Sequence, residues 1–179
     1  MNRFTNSSEL DGYSKKVRVN YHEVKSKFGA KNTQPVLVKF ASQHKNHPAL
    51  KAILSVSIAK EQNAVGKKPQ VLKIESLQLL DFKQESLTLS DEELQQILYS
   101  VLLATFEYGN SQSIQEWIIT VNPSFLKDLE KMEVAHNTHS YDEQGRCLIA
   151  VRSNEFLSKG KQLINLWTRR FFEGGPLLN

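Results

Sequence analysis

Trp117-Ile118-Ile119-Thr120-Val121-Asn122-Pro123 is the stretch on which the fold turns. Trp117 to Val121 form a short apolar run of strand character. Asn122-Pro123 then opens a helix, because Pro at the first helical position has its φ already set and lacks only an N–H that would go unpaired anyway. Phe125, Leu126, Leu129 and Met132 are spaced as the apolar face of that helix.

Working upstream, Ser90 is a good N-cap, with Glu93 three residues later and Asp91 and Glu92 in the first turn, where the helix dipole favours negative charge. Leu94, Ile97, Leu98, Val101, Leu102 and Thr105 make a buried stripe that ends at Gly109-Asn110. Before that helix, Val71 to Leu80 reads as a central strand, with Leu72, Ile74 and Ser76 on one side and a continuous apolar pair at Leu79-Leu80. Downstream, His136 to Tyr141 and Cys147 to Arg152 flank Asp142-Glu143-Gln144-Gly145, a turn joining two antiparallel strands. A last helix is predicted from Leu157 to Phe172, stopped by Gly174-Gly175-Pro176. Residues 71–152 therefore run strand, helix, strand, helix, strand, strand.

The N-terminal half is less marked. Met1 to Lys16 is polar without an apolar core and reads as a flexible leader, not a secretory signal. Val17 to Tyr21 and Val36 to Ala41 alternate as strands. Leu50 to Lys60 fits two patterns: Leu54, Val56 and Ile58 alternate with Ser55 and Ser57, whereas Leu50, Ile53, Leu54 and Ile58 would share a helical face. The β-branched and Ser content favours strand. Val65-Gly66-Lys67-Lys68-Pro69 reads as a turn.

The chain has 179 residues, 40% hydrophobic and 23% charged, which suits a single domain of an ordinary soluble protein. No apolar run is long enough for a membrane helix. Cys147 is the only cysteine, so there is no internal disulfide framework and a reducing cytoplasm is expected. It sits in a strand pattern and reads as a buried structural thiol. The net charge is +4, compatible with a phosphate-bearing ligand or nucleic acid. The lysines (Lys25, Lys27, Lys31, Lys39, Lys45, Lys51, Lys60) are scattered and read as a solvated surface.

With this order of elements, Val71 to Arg152 resembles the GNAT-type N-acyltransferase superfamily, and more loosely the autoinducer-synthase-like acyltransferases. Ile118-Ile119-Thr120-Val121-Asn122 followed by Leu129-Glu130-Lys131-Met132-Glu133-Val134 carries the likeness. In these families a strand ends in Asn and leads to a helix that closes in a Tyr-Glu-Lys-Leu-Gly-Phe-like segment. The resemblance implies an α/β (α+β) fold with one mixed, mostly antiparallel central sheet flanked by helices, spanning 17–179 as a single domain. It implies acyl transfer from acyl-CoA or an acyl-carrier thioester to an amine. Acyl-CoA would be a co-substrate, with no permanently bound cofactor. Leu79, Leu80 and Asp81 would give backbone contacts to the thioester, Lys83 and Asn122 would be the side chains nearest the donor, and Glu75 would act as general base.

Three departures stand against those motifs. Family members place a Gly-rich phosphate cradle between the central strand and the long helix, yet Asp81 to Ser90 contains no glycine. Glu85, Asp91, Glu92 and Glu93 would oppose a pyrophosphate, with Lys83 alone to offset them. Leu129 stands where many members have a Tyr that protonates the leaving thiolate. Tyr99, Tyr108 and Tyr141 lie outside that slot. Leu77 stands where autoinducer-synthase-like proteins have an Arg. A second function therefore stays open: a catalytically inactive GNAT-like module that binds or regulates a protein or nucleic-acid partner.

His44-x-x-His47 and His136-x-x-His139 have the look of metal-ligand spacings. Residues three apart converge on a helix, whereas both pairs fall in strands or before a proline, so no metal site is expected. On the last helix, Leu163, Ile164, Trp167 and Phe171 are expected to pack on the domain's own sheet. A protein partner or homo-oligomer contact through this helix ranks next, and nucleic-acid or membrane binding last.

Overall fold

The computed structural model describes residues 16–24, 36–59, 70–84, 88–174 and 177. The expected turn at Val65–Pro69 and residues 1–15 of the expected leader lie outside them. Lys16, the last leader residue, accepts a 2.8 Å hydrogen bond from Lys45 N. Among the described residues seven strands form one mixed sheet: β1 (Val17–Val24), β2 (Val36–His44), β3 (His47–Ala59), β4 (Val71–Asp81), β5 (Glu116–Val121), β6 (His136–Tyr141) and β7 (Cys147–Arg152). Their spatial order is β1-β2-β3-β4-β5-β7-β6. Only β4 and β5 run parallel; every other neighbouring pair is antiparallel. The helices among the described residues are α1 (Asp91–Ser111), α2 (Pro123–Lys131), α3 (Ser153–Ser158) and α4 (Gly160–Phe172). The expected α+β class and the strand–helix–strand–helix–strand–strand order over 71–152 are those of the structure.

The segment with two readings is strand: β3 extends from His47 to Ala59, and its alternate residues Leu50, Ala52, Leu54, Val56 and Ile58 are buried. A period of two buries one face of a sheet, and the polar Ser55 and Ser57 then face away from the core. Val38 and Phe40 on β2 complete that apolar face.

The helices cover the same face. Ser42 Oγ on β2 donates a 2.6 Å buried hydrogen bond to the Ile97 carbonyl in α1. Gly109, near the end of α1, lies against Leu72 of β4 and Trp117 of β5. Phe156 of α3 packs on Trp117 with ring centroids 5.6 Å apart. In α4, Arg170 bonds Asp128 of α2 at 2.7 Å and lies 5.2 Å from the centre of the Phe125 ring. The predicted stripe Leu94, Ile97, Leu98, Val101, Leu102 and Thr105 is buried throughout. Cys147 is buried as expected.

Two readings need correction. The C-terminal helix is not one rod from Leu157: α3 begins at Ser153 and the axis breaks at Lys159 before Gly160. Gly160 packs against Leu102 and Tyr99 of α1. On β4, Ser76 does not stay with Leu72 and Ile74. A bulge skips Glu75 in the pairing with β3 (Ser55 with Ser76, Val56 with Ile74), so Leu77 joins the buried side instead. No helix among the described residues is long and apolar enough to cross a membrane.

Candidate functional site

The β4–β5 ladder is short. Leu72 pairs with Trp117, Lys73 with Ile118 and Ile74 with Ile119, and there it ends. β4 continues to Asp81, paired on its other edge with β3 as far as Leu50–Asp81. β5 runs on through Thr120 and Val121 to the N-cap of α2, while its other edge pairs with β7. The two central strands therefore fork after Ile74 and Ile119. Backbone N–H and C=O groups of β4 that would have met β5 face the gap, and such groups need partners.

The fork is built by local sequence. The bulge at Glu75 adds twist to β4 where the ladder stops. On β5, Asn122 turns the chain away: its Oδ1 accepts 2.7 Å from Phe125 N, and Pro123 follows at the first helical position.

The expected site residues occupy three parts of this fork. Glu75 is at its apex, on the sheet face opposite the helices, where Ser57 Oγ donates 2.6 Å to Oε1 and Lys73 Nζ lies 3.5 Å from Oε2. The Glu75 side chain is 37% exposed, so it is open to solvent. Leu79, Leu80 and Asp81 line one arm, all half-buried. Along an extended strand Leu79 is about 13 Å from Glu75. Asn122 ends the other arm with its carbonyl oxygen committed to the cap and its amide NH₂ left for other partners. Lys83 is exposed in the turn beyond β4, beside Phe82, which is 71% exposed. Ser57 was not singled out from sequence; its only signal was a polar residue in alternation with Val56 and Ile58.

The segment that would cradle a phosphate has a different character. Gln84 has φ +55°, the one left-handed residue in the described part of the loop, and residues 85–87 lie outside it. At the N-terminus of α1, Ser90 Oγ accepts from Glu93 N at 3.2 Å and Glu93 Oε2 accepts from Ser90 N at 3.0 Å. That capping box uses donors an anion would otherwise take. The Ser90 N–H first, and the side chains of His47 and Ser90 with it, hold the Glu93 carboxyl below the usual carboxylate range.

A tyrosine acid is no better placed. Leu129 is fully buried in α2. Tyr108 is buried, donates 2.8 Å to Glu23 Oε1, and burial raises its phenol above the ordinary value. Tyr141 is 65% exposed on β6, at the end of the sheet beyond β7.

The histidine pairs part company. His136 Nδ1 is 2.8 Å from the Val134 carbonyl, and a register shift between Thr138 and Ser140 leaves His139 outside the ladder. His44 and His47, in contrast, are brought together. The two-residue turn Lys45-Asn46 makes them partners across the β2–β3 hairpin. Residues three apart converge in a tight hairpin as well as on a helix, so the spacing argument against this pair does not hold.

No family model matches the sequence. No curated protein is similar to it in sequence. Among solved structures, the chain is similar to the AHL synthase LasI, with a TM-score of 0.46 and 8% identity over 91% of this chain and 98% of that one. It is also similar to a CoA-dependent acyl-homoserine lactone synthase, BjaI, solved with SAM and isopentyl-CoA (TM-score 0.41, 10% identity, 72% of this chain and 64% of that one). A third is the aminoglycoside acetyltransferase AAC(6')-Ib in complex with coenzyme A and kanamycin (TM-score 0.36, 12% identity, 67% and 69%).

Proposed function

We propose that the chain is an acyltransferase that takes an acyl group from acyl-CoA or an acyl-carrier thioester to an amine, with the thioester bound in the fork between β4 and β5. The observation that carries this reading is the inner edge of β4 from Glu75 to Leu80, which has no ladder partner in β5, set against a β5 that turns away at Asn122. An extended amide-containing arm, as in a pantetheine thioester, is the kind of ligand that such a strand edge recognises, because it can complete the missing ladder. Leu79, Leu80 and Asp81 then supply backbone contacts to the donor, with Asn122 Nδ2 across the gap and Lys83 at the mouth. Glu75 accepts a proton from the attacking amine, its carboxylate oriented by Ser57 and Lys73.

A second reading has its own support: α1 begins with Asp91, Glu92 and Glu93 and closes its N-terminus with its own capping box. A chain built this way would bind a partner and leave diphosphate chemistry unused.

Thermal unfolding with a panel of acyl-CoAs of increasing chain length separates the two. A ligand at one hundred times its Kd stabilises by about 2.7 kcal/mol. For a domain of this size that is roughly 5–11 °C in Tm. No shift with any thioester, beside a clear shift with a nucleic acid or protein partner, would sink the acyltransferase reading.

A further inference from the structure

The β2–β3 hairpin and the first turn of α1 bring together three side chains for which acyl transfer has no use. His44 and His47 face each other across the turn with ring centroids 5.7 Å apart. His47 Nε2 lies 3.0 Å from Glu93 Oε2. One ligand atom from each of His44, His47 and Glu93 lies within 4.8 Å of the other two. His44 is 1% exposed and His47 8%, so water does not compete freely for them.

His44 supplies the second observation. Asn46 N donates 3.1 Å to its Nδ1, while its buried Nε2 makes no close hydrogen bond and has the Gln96 side chain as its polar neighbour. Gln96 Oε1 is likewise buried with no close hydrogen bond. A buried polar atom without a close partner costs about 1–3 kcal/mol, so an imidazole nitrogen held only by a Gln96 neighbour, beside a histidine and a carboxylate, is open to a stronger partner.

We propose that His44, His47 and Glu93 bind one divalent transition-metal ion, for which zinc is the natural probe. Two imidazole nitrogens and one carboxylate oxygen suit zinc, with water at the fourth tetrahedral position. Calcium and magnesium prefer all-oxygen sets. At metal–ligand bonds of about 2 Å, tetrahedral ligand atoms sit roughly 3.3 Å apart, so closing the site needs side-chain rotations of little more than an ångström. Coordination through His44 Nε2 moves the ring proton to Nδ1, and the contact with Asn46 N is given up. The bound ion clips the hairpin to the start of α1, the element that follows the fork.

The test uses the full chain without a histidine tag, stripped of metal. Titration with zinc is expected to show one ion per chain, with a rise in Tm, and cobalt is expected to give visible d–d bands of a tetrahedral site. The Asn46 amide resonance should move on loading. Glu93→Gln keeps a residue able to complete the capping box, and it and His47→Gln should each weaken zinc binding by about tenfold or more. A double change of His136 and His139 to Ala should leave binding unchanged. Absence of stoichiometric binding, an Asn46 amide that stays put, or equal affinity in Glu93→Gln and His47→Gln would each overturn the site. The Asn46 readout needs no variant, so a variant that fails to fold leaves the test intact.

Discussion

Ile74 and Ile119 form the last pair of the parallel ladder between β4 and β5, and beyond them the two central strands part. The proposed chemistry depends on that parting, because it leaves one edge of β4 without a neighbour while the β3 edge stays paired to Asp81.

Glu75 at the apex is the first residue to change. If it is the base, Glu75→Gln should lower kcat/KM for amine acylation by about 10²–10⁴-fold while leaving donor affinity within a small factor. Ser57→Ala should give a smaller loss, since it removes an orienting hydrogen bond of 2.6 Å and not the base. Steady-state kinetics with separate donor-binding measurements check both. A Glu75→Gln protein of unchanged kcat/KM would remove it from the mechanism.

Asp128 and Arg170 tie α2 to α4 through a 2.7 Å ion pair whose side chains are 22% and 13% exposed. Arg170 also covers the buried Phe125 ring. Asp128→Asn should cost about 1.5–3 kcal/mol, the range for hydrogen bonds to charged groups. Urea denaturation of Asp128→Asn, Arg170→Met and the double variant should give a non-additive cycle. Full additivity would mean the pair contributes nothing beyond its separate side chains.

Much of this architecture could be read from the chain because it is locally encoded. Ser90 and Glu93 announce a capping box, and Asn122-Pro123 a helix start; both form as read. Alternation over Leu54, Val56 and Ile58 marks β3, and Gly145 at φ +74° makes the β6–β7 turn. The bulge at Glu75 has no Gly or Pro to signal it, and the extent of a parallel ladder is a relation between strands more than forty residues apart, to which period-two patterning is blind. The meeting of His44 and His47 depends on Lys45-Asn46 being a two-residue turn, a dipeptide without a strong turn signature. Gly160 marks the interruption of the last helix in the sequence, whereas nothing local announces that a short helix begins as early as Ser153, where Arg152 offers no side-chain cap.

Ser42 bridges the sheet and α1 through its buried 2.6 Å bond to the Ile97 carbonyl. Ser42→Ala should cost about 1 kcal/mol, and Ser42→Val more, because it also adds bulk between β2 and the helix. Chemical denaturation with an unchanged m-value is the check, and a neutral Ser42→Ala would show that the hydroxyl has no net role.

Burial raises the Glu107 carboxyl above its ordinary value. The folded state then binds the proton more tightly than the unfolded chain does. This group's contribution is fully present below about pH 4.5 and is lost as the pH rises through the folded pKa. Glu107→Gln should therefore stabilise the protein at pH 7 and give no gain at pH 4, read from Tm against pH. An equal effect at both pH values would exclude ionisation as its cause.

The most direct test of the fork is amide hydrogen exchange with and without a saturating acyl-CoA. Donor binding to the open edge of β4 predicts new protection confined to residues 75–80 and 120–122, with the paired amides of β2 and β3 unchanged. Protection that appears elsewhere, or none at a concentration that saturates binding, would contradict the assignment of the β4–β5 fork as the donor site.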